Sequence, residues 1–478
     1  MERWSSSPGF ILAAIGSAVG IGNVWRFSSV LGQNGGGAYL VPYLTACFLC
    51  AVPLMVLELS AGRSFRGTVV SSFRALGPRA RLIGWFIAGV ISLILSYYLV
   101  ITGWTLAFSW FAFSGQPLDF PAFTSSLLPV FFFLLSLLLT ALIVSAGIRK
   151  GIERITTIFI PFIFVLLIGM AAFAATLPGF QAGVAYLFTP DFSVLLNPLI
   201  WSAALGQAFF SLSVGQGILI TYGAYLDDRQ NIPPTSLVIT IADISVSLLS
   251  GLVIFPVVFT FGLEPAIGAE LAFSTLPLAF GVMPFGRIFA LAFFLLLFLA
   301  ALTSAISMLE VPAAAVMEST GWPRRRVSLI LVAGLMVAGL PSALSYSGVN
   351  LTVLGLRVLD LLDDTAGTLG LIITAILISV AFSWGLPREK FEAIIGEGGL
   401  PVRLIRPLCR YVIPSVLILA LGYRIALDLD FPAWHILPGI PFPGMISALL
   451  LTGAIFAAIF AAIAVGCRAR ECRWPPGR

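Results

Sequence analysis

The chain is 478 residues long, 59% hydrophobic and only 10% charged, with a formal net charge of +5 and a mean hydropathy of +1.06. Soluble domains carry about 25% charged residues, so this composition excludes a soluble globular protein and leaves a polytopic protein of the lipid bilayer. The single histidine, His435, falls in the last outer loop, which excludes a histidine-based metal site or catalytic triad. Loop topology accounts for the positive charge without a nucleic-acid partner.

In chain order, Met1 to Ser7 reads as a lead-in rather than a signal peptide. Twelve spans of about 20 or more residues follow. They are predicted over 9–32, 38–62, 83–113, 127–146, 153–177, 199–225, 233–262, 287–317, 326–345, 353–383, 405–426 and 444–466. All basic residues except Arg26, Arg287, Arg357 and Arg424 collect on one side, which puts both termini in the cytoplasm. Cys47 and Cys50 lie inside a span, Cys409 stands alone, and Cys467 and Cys472 face the reducing cytoplasm. No pair sits in an outer loop to form a disulfide.

The first span is interrupted at Gly16-Ser17-Ala18-Val19-Gly20-Ile21-Gly22-Asn23, and the sixth at Ser211-Leu212-Ser213-Val214-Gly215-Gln216-Gly217. Near the midplane each unpaired backbone group costs several kcal/mol, so such breaks survive only buried in protein or lining a cavity. Broken spans at that depth mark ion and substrate sites of secondary transporters. Two sets of five spans, each opening on a break, have opposite orientations, the logic of an inverted repeat. The expected division is a first repeat over 1–178, a second over 179–384, and two additional spans with the cytoplasmic C-terminus over 385–478. The stretch 263–286 is an outer loop suited to a lid.

The residues Gly16 to Asn23 with Val24-Trp25-Arg26-Phe27, followed by Asn34 to Ala38 and Pro53 to Glu58, resemble the neurotransmitter:sodium symporter family, and its bacterial LeuT-type amino-acid transporters most of all. The likeness continues through Tyr97-Tyr98, Gly151-Ile152-Glu153, Gln207 to Ser213, Leu302-Thr303-Ser304 and Asp363 to Gly367. It implies an all-α membrane protein of the LeuT fold, a five-plus-five inverted repeat with two extra C-terminal spans, working as a transporter and not an enzyme.

Carried onto this chain, the resemblance implies two sodium sites. One uses the carbonyl of Ala18, the side chains of Asn23, Ser211 and Asp243, and the substrate carboxylate. The other uses the carbonyls of Gly16, Val19 and Ala300 with the hydroxyls of Thr303 and Ser304. The competing reading is that these two hydroxyls only bond back to the preceding helical turn. Asp243 stands where LeuT has asparagine, and Ser247 where it has glutamate. Chloride-dependent relatives also have serine at the latter position. A fixed carboxylate one turn away predicts transport without chloride, and an intramembrane carboxylate implies a cation partner.

Gly20 lies where monoamine-carrying relatives have an aspartate, so the expected substrate brings its own carboxylate. That group would meet the amides of Gly20 and Gly22 and the Tyr98 hydroxyl, with half-helix dipoles favouring an anion. Ile94, Phe210, Ser213, Gln216, Ser304, Ser307 and Met308 are expected to line the side-chain pocket. No charged residue is among them, which indicates a neutral α-amino acid. Gln216 and Ser307 replace a phenylalanine and an alanine of LeuT, making the pocket roomier or more polar. The resemblance further implies an outer gate of Arg26 and Asp363 with Gln207 nearby, and Tyr98 and Phe210 as an inner lid. Trp4 and Glu318 match inner-gate positions, but Arg3 abuts Trp4 instead of preceding it by three residues. Glu58 is expected to bond backbone amides of the sixth span. Gly151 and Pro161 match a spacing that lets span 5 unwind in relatives.

Two sodium ions entering with a zwitterion would supply roughly 7 kcal/mol from a potential of about 100 mV and tenfold gradients. No phosphate-binding loop is present, so no nucleotide is expected. The rival readings are a carrier of an ω-amino acid or osmolyte, and a sensor of the same fold that does not transport. Short outer loops place the protein in the plasma (inner) membrane of a prokaryote, with the oligomeric state open.

Overall fold

An α-helix pairs its own backbone groups, which is why apolar stretches of this length enter lipid as helices. The computed structural model describes residues 2–263, 271–395 and 400–428. The expected twelfth span (444–466) lies outside them, as do His435, Cys467 and Cys472. Spans 2 to 5 are Gly36–Phe65, Arg81–Ser114, Leu128–Ser145 and Ile148–Ala174, and spans 7 to 11 are Ile232–Thr260, Gly286–Thr320, Arg324–Ser345, Val358–Gly385 and Leu404–Tyr423.

Spans 1 and 6 are broken where glycines interrupt their apolar runs. Span 1 consists of Ser7–Ala18 and Gly22–Gln33, bent by 54°. The first helix stops because Val19 turns extended, with φ −70° and ψ 107°. Span 6 consists of Pro198–Ser211 and Ile218–Ala224. Between them the chain turns left-handed at Ser213, Gly215 and Gly217, a conformation glycine adopts at little cost.

Two boundaries differ from expectation. Span 10 begins at Val358 rather than 353, because Thr352–Val353 pairs antiparallel with Leu356–Arg357. Leu354 and Gly355 at positive φ make the turn, which an apolar run alone does not reveal. Span 5 begins earlier, with a π-helical turn over Ile148–Glu153. A Cβ on Gly151 would lie 2.0 Å from the Ile143 carbonyl oxygen, so only glycine fits this junction of spans 4 and 5. The expected lid carries a helix, Leu276–Val282, after a π turn at Leu271–Thr275. Phe273 in that turn packs on Trp25, Trp104, Phe108, Phe120 and Phe294.

The second half of span 6 lies directly on span 2, backbone to backbone. A Cβ on Gly62 would come 2.0 Å from the Ile220 carbonyl oxygen, and one on Gly223 2.4 Å from that of Leu59. Small residues give such close approach in membranes. Replacing Gly62 by Val therefore costs at least about 2 kcal/mol and lowers the thermal unfolding midpoint of the detergent-solubilised protein. An unchanged midpoint would contradict this packing.

Candidate functional site

The two breaks meet, and their freed backbone groups are met across the interface. Ser213 Oγ donates to the Ser17 carbonyl (2.6 Å), and Gln207 Nε2 to the Gly22 carbonyl (2.8 Å). Glu58, fully buried in span 2, accepts from Gly215 N at 2.7 Å, as the sequence led us to expect.

Asn23, Ser211 and Asp243 come together beside the first break. The Asn23 amide nitrogen is 2.6 Å from Asp243 Oδ1, 2.9 Å from Ser211 Oγ and 3.0 Å from Ser247 Oγ. The Ser211 hydroxyl reaches Asp243 Oδ1 at 2.9 Å. Asp243 is fully buried, and its hydrogen-bond partners, Asn23 and Ser211, are neutral. A desolvated carboxylate without a positive partner is costly, and the carboxylate and hydroxyl oxygens around the Asn23 amide suit a small hard cation. The sequence named Ser247 only as a departure; the fold makes it part of this cluster. Tyr43 was missed. Its buried hydroxyl faces Asp243 and Ser247, and nothing in a tyrosine of span 2 signals that placement.

A second oxygen cluster joins spans 1 and 8. Ser304 Oγ lies 3.3 Å from the Val19 carbonyl oxygen and 3.4 Å from that of Ser17, so it bonds across to the break. Thr303 Oγ1 instead donates to the Ala300 carbonyl at 3.0 Å, one turn back. Thr303 thus makes the bond back to the preceding turn, Ser304 reaches across to span 1, and the lone pairs of Thr303 stay open to a cation. Gly16 packs against Thr303, whose Cβ would be 3.4 Å from a Cβ added there. Carbonyls and hydroxyls without nitrogen or sulfur donors suit sodium. Among the described residues no cluster of histidine, cysteine and carboxylate suits a transition metal.

Between these clusters Gly20 faces Ser304 and Tyr98; an added Cβ would sit 2.7 Å from Ser304 Oγ and 3.0 Å from the Tyr98 oxygen. Gly22 faces the Phe210 ring, which such an atom would approach to 3.0 Å. The Gly20 amide, expected to be available for a carboxylate, is engaged by Asn23 Oδ1 at 2.9 Å. The amide facing the Tyr98 hydroxyl is that of Ile21, at 3.4 Å. Ala18, Ile94, Ser213, Gln216, Ser307 and Met308 are all buried in this region of the core. Ser307 accepts from the Tyr222 hydroxyl at 2.7 Å, a partner the sequence did not indicate.

Above Tyr98 and Phe210 opens a vestibule of about 740 Å³ that includes Arg26, Trp104, Arg357, Asp360 and Asp363. The expected Arg26–Asp363 ion pair is not formed. Arg26 lies over the Phe210 ring at 4.5 Å, and Asp363 accepts from the Tyr97 hydroxyl at 2.8 Å. With the charges apart, the path from this face reaches Tyr98. Gln207 lies below, bonded to Gly22.

The amino-terminal face is closed by a different set from the one expected. Trp4 is buried, donates from Nε1 to the Tyr222 carbonyl at 3.1 Å, and packs on Phe10, Tyr222 and Tyr225. Glu318, however, accepts from Thr68 and Ser71 and makes no pair with Arg3, whose exposed residue offers its carbonyl to Arg149. The charged closure runs through Arg324. It pairs with the fully buried Glu310 at 2.6 Å and with Glu2 at 3.2 Å. Glu310 also accepts from the Tyr225 hydroxyl (2.7 Å), and Glu2 accepts from Ile148 N (2.6 Å). Ser5 N bonds Glu153 Oε2 at 2.8 Å. A glutamate inside apolar span 8 was a legible signal; its partner, across a loop, was not.

A helical membrane protein whose two broken spans meet and gather oxygen-rich clusters beneath a vestibule that reaches Tyr98 is a secondary transporter. The chain belongs to the sodium:neurotransmitter symporter family, whose sequence profile matches residues 1–121 and 129–465. It is a sodium-dependent symporter of the LeuT fold. It is 35% identical over 411 residues to the sodium-dependent transporter YhdH of Bacillus subtilis, covering 83% of this chain and 90% of that one. Against the sodium- and chloride-dependent GABA transporter 2 of Rattus norvegicus it is 26% identical over 479 residues, covering 87% and 78%. The crystal structure of MhsT in complex with L-phenylalanine superposes with a TM-score of 0.81 at 37% identity, covering 88% of this chain and 99% of that one.

Removing one member of a buried ion pair costs about 3–5 kcal/mol. Glu310→Gln should therefore loosen the amino-terminal closure. Amide hydrogen exchange over residues 2–6 and 148–153 is expected to speed up on the order of tenfold or more; unchanged protection would deny Arg324 its closing role.

Proposed function

We propose that the protein imports a neutral α-amino acid by alternating access, coupled to two sodium ions and independent of chloride. The observation that carries this reading is the backing of Gly20 by Ser304 and Tyr98. No side-chain carboxylate fits there to meet an amine, and the substrate must bring its own. Asn23 supports the coupling. To offer a sodium ion its oxygen, the amide must turn, which withdraws the acceptor from Gly20 N–H. A substrate carboxylate then becomes the natural partner of that amide, so ion and substrate favour one another. The L-phenylalanine bound to MhsT supports an amino acid as substrate.

Asp243, Asn23, Ser211 and the Ala18 carbonyl form the first sodium site in this reading. Gly16, Val19, Ala300, Thr303 and Ser304 form the second. The Asp243 carboxylate beside Ser211 and Ser247 supplies the negative charge that a chloride ion would otherwise bring, and repels a second anion. The repeats over 1–178 and 179–384 rock about the site. The membrane is the inner membrane of a prokaryote, with both termini cytoplasmic.

The test is uptake of a radiolabelled amino-acid panel into proteoliposomes under sodium, potassium or proton gradients, with chloride or gluconate. Sodium-driven accumulation of neutral amino acids at equal rates in both anions is expected. Gly20→Asp should abolish it. Asp243→Asn should lower it at least tenfold in gluconate, with chloride restoring part of the loss. Chloride stimulation of the wild type would refute the anion argument. Accumulation of ω-amino acids or osmolytes alone would replace the substrate class, and sodium-dependent binding without accumulation would make the protein a sensor.

A further inference from the structure

The break in span 6 holds two polar side chains, and only one is fully paired. Ser213 bonds the Ser17 carbonyl at 2.6 Å. Gln216 is 2% exposed; its Nε2 lies 3.4 Å from the Phe210 carbonyl oxygen, while its Oε1 is buried without a hydrogen-bond partner. The Phe210 carbonyl fixes this orientation, since the reversed amide would set two acceptors against each other. The backbone on either side is pinned. Gly215 N is held by Glu58 at 2.7 Å, and Gly217 at φ 74° starts the next half-helix against Ile87 and Val69. The amide is therefore held at the midplane, between the half-helices where the substrate is received.

The other residues of the side-chain pocket have no comparable atom to offer. Ser307 gives its hydroxyl hydrogen to the Thr303 carbonyl at 3.0 Å and accepts from Tyr222. Ser304 is turned to the carbonyls of Ser17 and Val19. Ile94 and Met308 are apolar. Buried amide oxygens almost always have a partner, and one without calls for an explanation.

We infer that Gln216 is the specificity-determining residue of this transporter: its side-chain oxygen accepts a hydrogen bond from the substrate's side chain. The preferred substrates are thus neutral α-amino acids that carry an O–H or N–H donor beyond Cβ or on it. This rests on the amino-acid reading above and narrows it. A hydrocarbon side chain would bury the Gln216 oxygen and give nothing back. A site built to pair a polar group rejects the analogue that lacks it far more strongly than an apolar pocket rejects a missing methylene.

The experiment compares substrates that differ in the donor and little else: threonine with valine, asparagine with leucine, tyrosine with phenylalanine. Sodium-driven uptake and competition are measured in proteoliposomes for the wild type and Gln216→Leu. The wild type is expected to favour the donor-bearing member of at least one pair by about tenfold or more. Gln216→Leu should erase that preference by raising uptake of the apolar member. Equal handling of every pair by the wild type would overturn the inference without any variant, and so would a uniform loss for both members in Gln216→Leu. Sodium-driven uptake without donor preference leaves amino-acid symport standing and removes only Gln216's role. No sodium-driven uptake of any amino acid removes both.

Discussion

A backbone amide or carbonyl at the middle of a membrane must have a partner, and the rest of this structure is arranged around the places where an intact helix does not supply one. Span 1 gives up its ladder at Val19 and span 6 at 212–217. Each break lends the other part of what it lost. Gln207 and Ser213 of span 6 bond carbonyls of Gly22 and Ser17 in span 1, and Glu58 of span 2 holds Gly215. What remains over is a set of carboxylate, hydroxyl and carbonyl oxygens with only neutral donors against them. In the proposed mechanism those oxygens are where the sodium ions and the substrate carboxylate go, so the same deficit that would destabilise a helix in lipid becomes binding energy.

Three buried carboxylates show how differently one chemical liability is resolved. Glu58 leans on a backbone N–H. Glu310 has a guanidinium and a phenol, which makes it a latch between span 8, span 6 and the start of span 9. Asp243 has only neutral hydrogen-bond partners, Asn23 and Ser211. Unlike Glu58, it lies among side-chain hydroxyls and an amide at the first break, and its position beside Ser247 links the sodium and chloride arguments to a single charge.

The two faces are in opposite states. Toward the vestibule Arg26 rests on Phe210 and Asp363 on Tyr97, leaving the path down to Tyr98 open. Toward the amino terminus, Trp4 and the Glu2–Arg324–Glu310 chain tie residues 2–6 to spans 5, 6, 8 and 9. Separate latches of this kind suit alternating access, because closing one face need not strain the other. Gly151 sits at the junction these latches hold, where only a residue without a side chain fits.

The sequence by itself determined the helical class, the positions of the first eleven spans to within a few residues, and both breaks. It did so because apolar length, glycine clusters and an isolated intramembrane acid are local signals with direct physical consequences in lipid. The motif likeness then named the family and indicated Asn23, Ser211, Asp243, Thr303 and Ser304. Tertiary structure alone decided what depends on residues far apart in the chain. It gave Arg324 rather than Arg3 the inner pair, separated Arg26 from Asp363, put Ile21 N–H before Tyr98, and sent Ser304 across to Val19 while Thr303 bonded back. It also left one oxygen of Gln216 without a partner. A pairing of that kind has no period and no spacing to read, because it is set by which faces of distant helices meet.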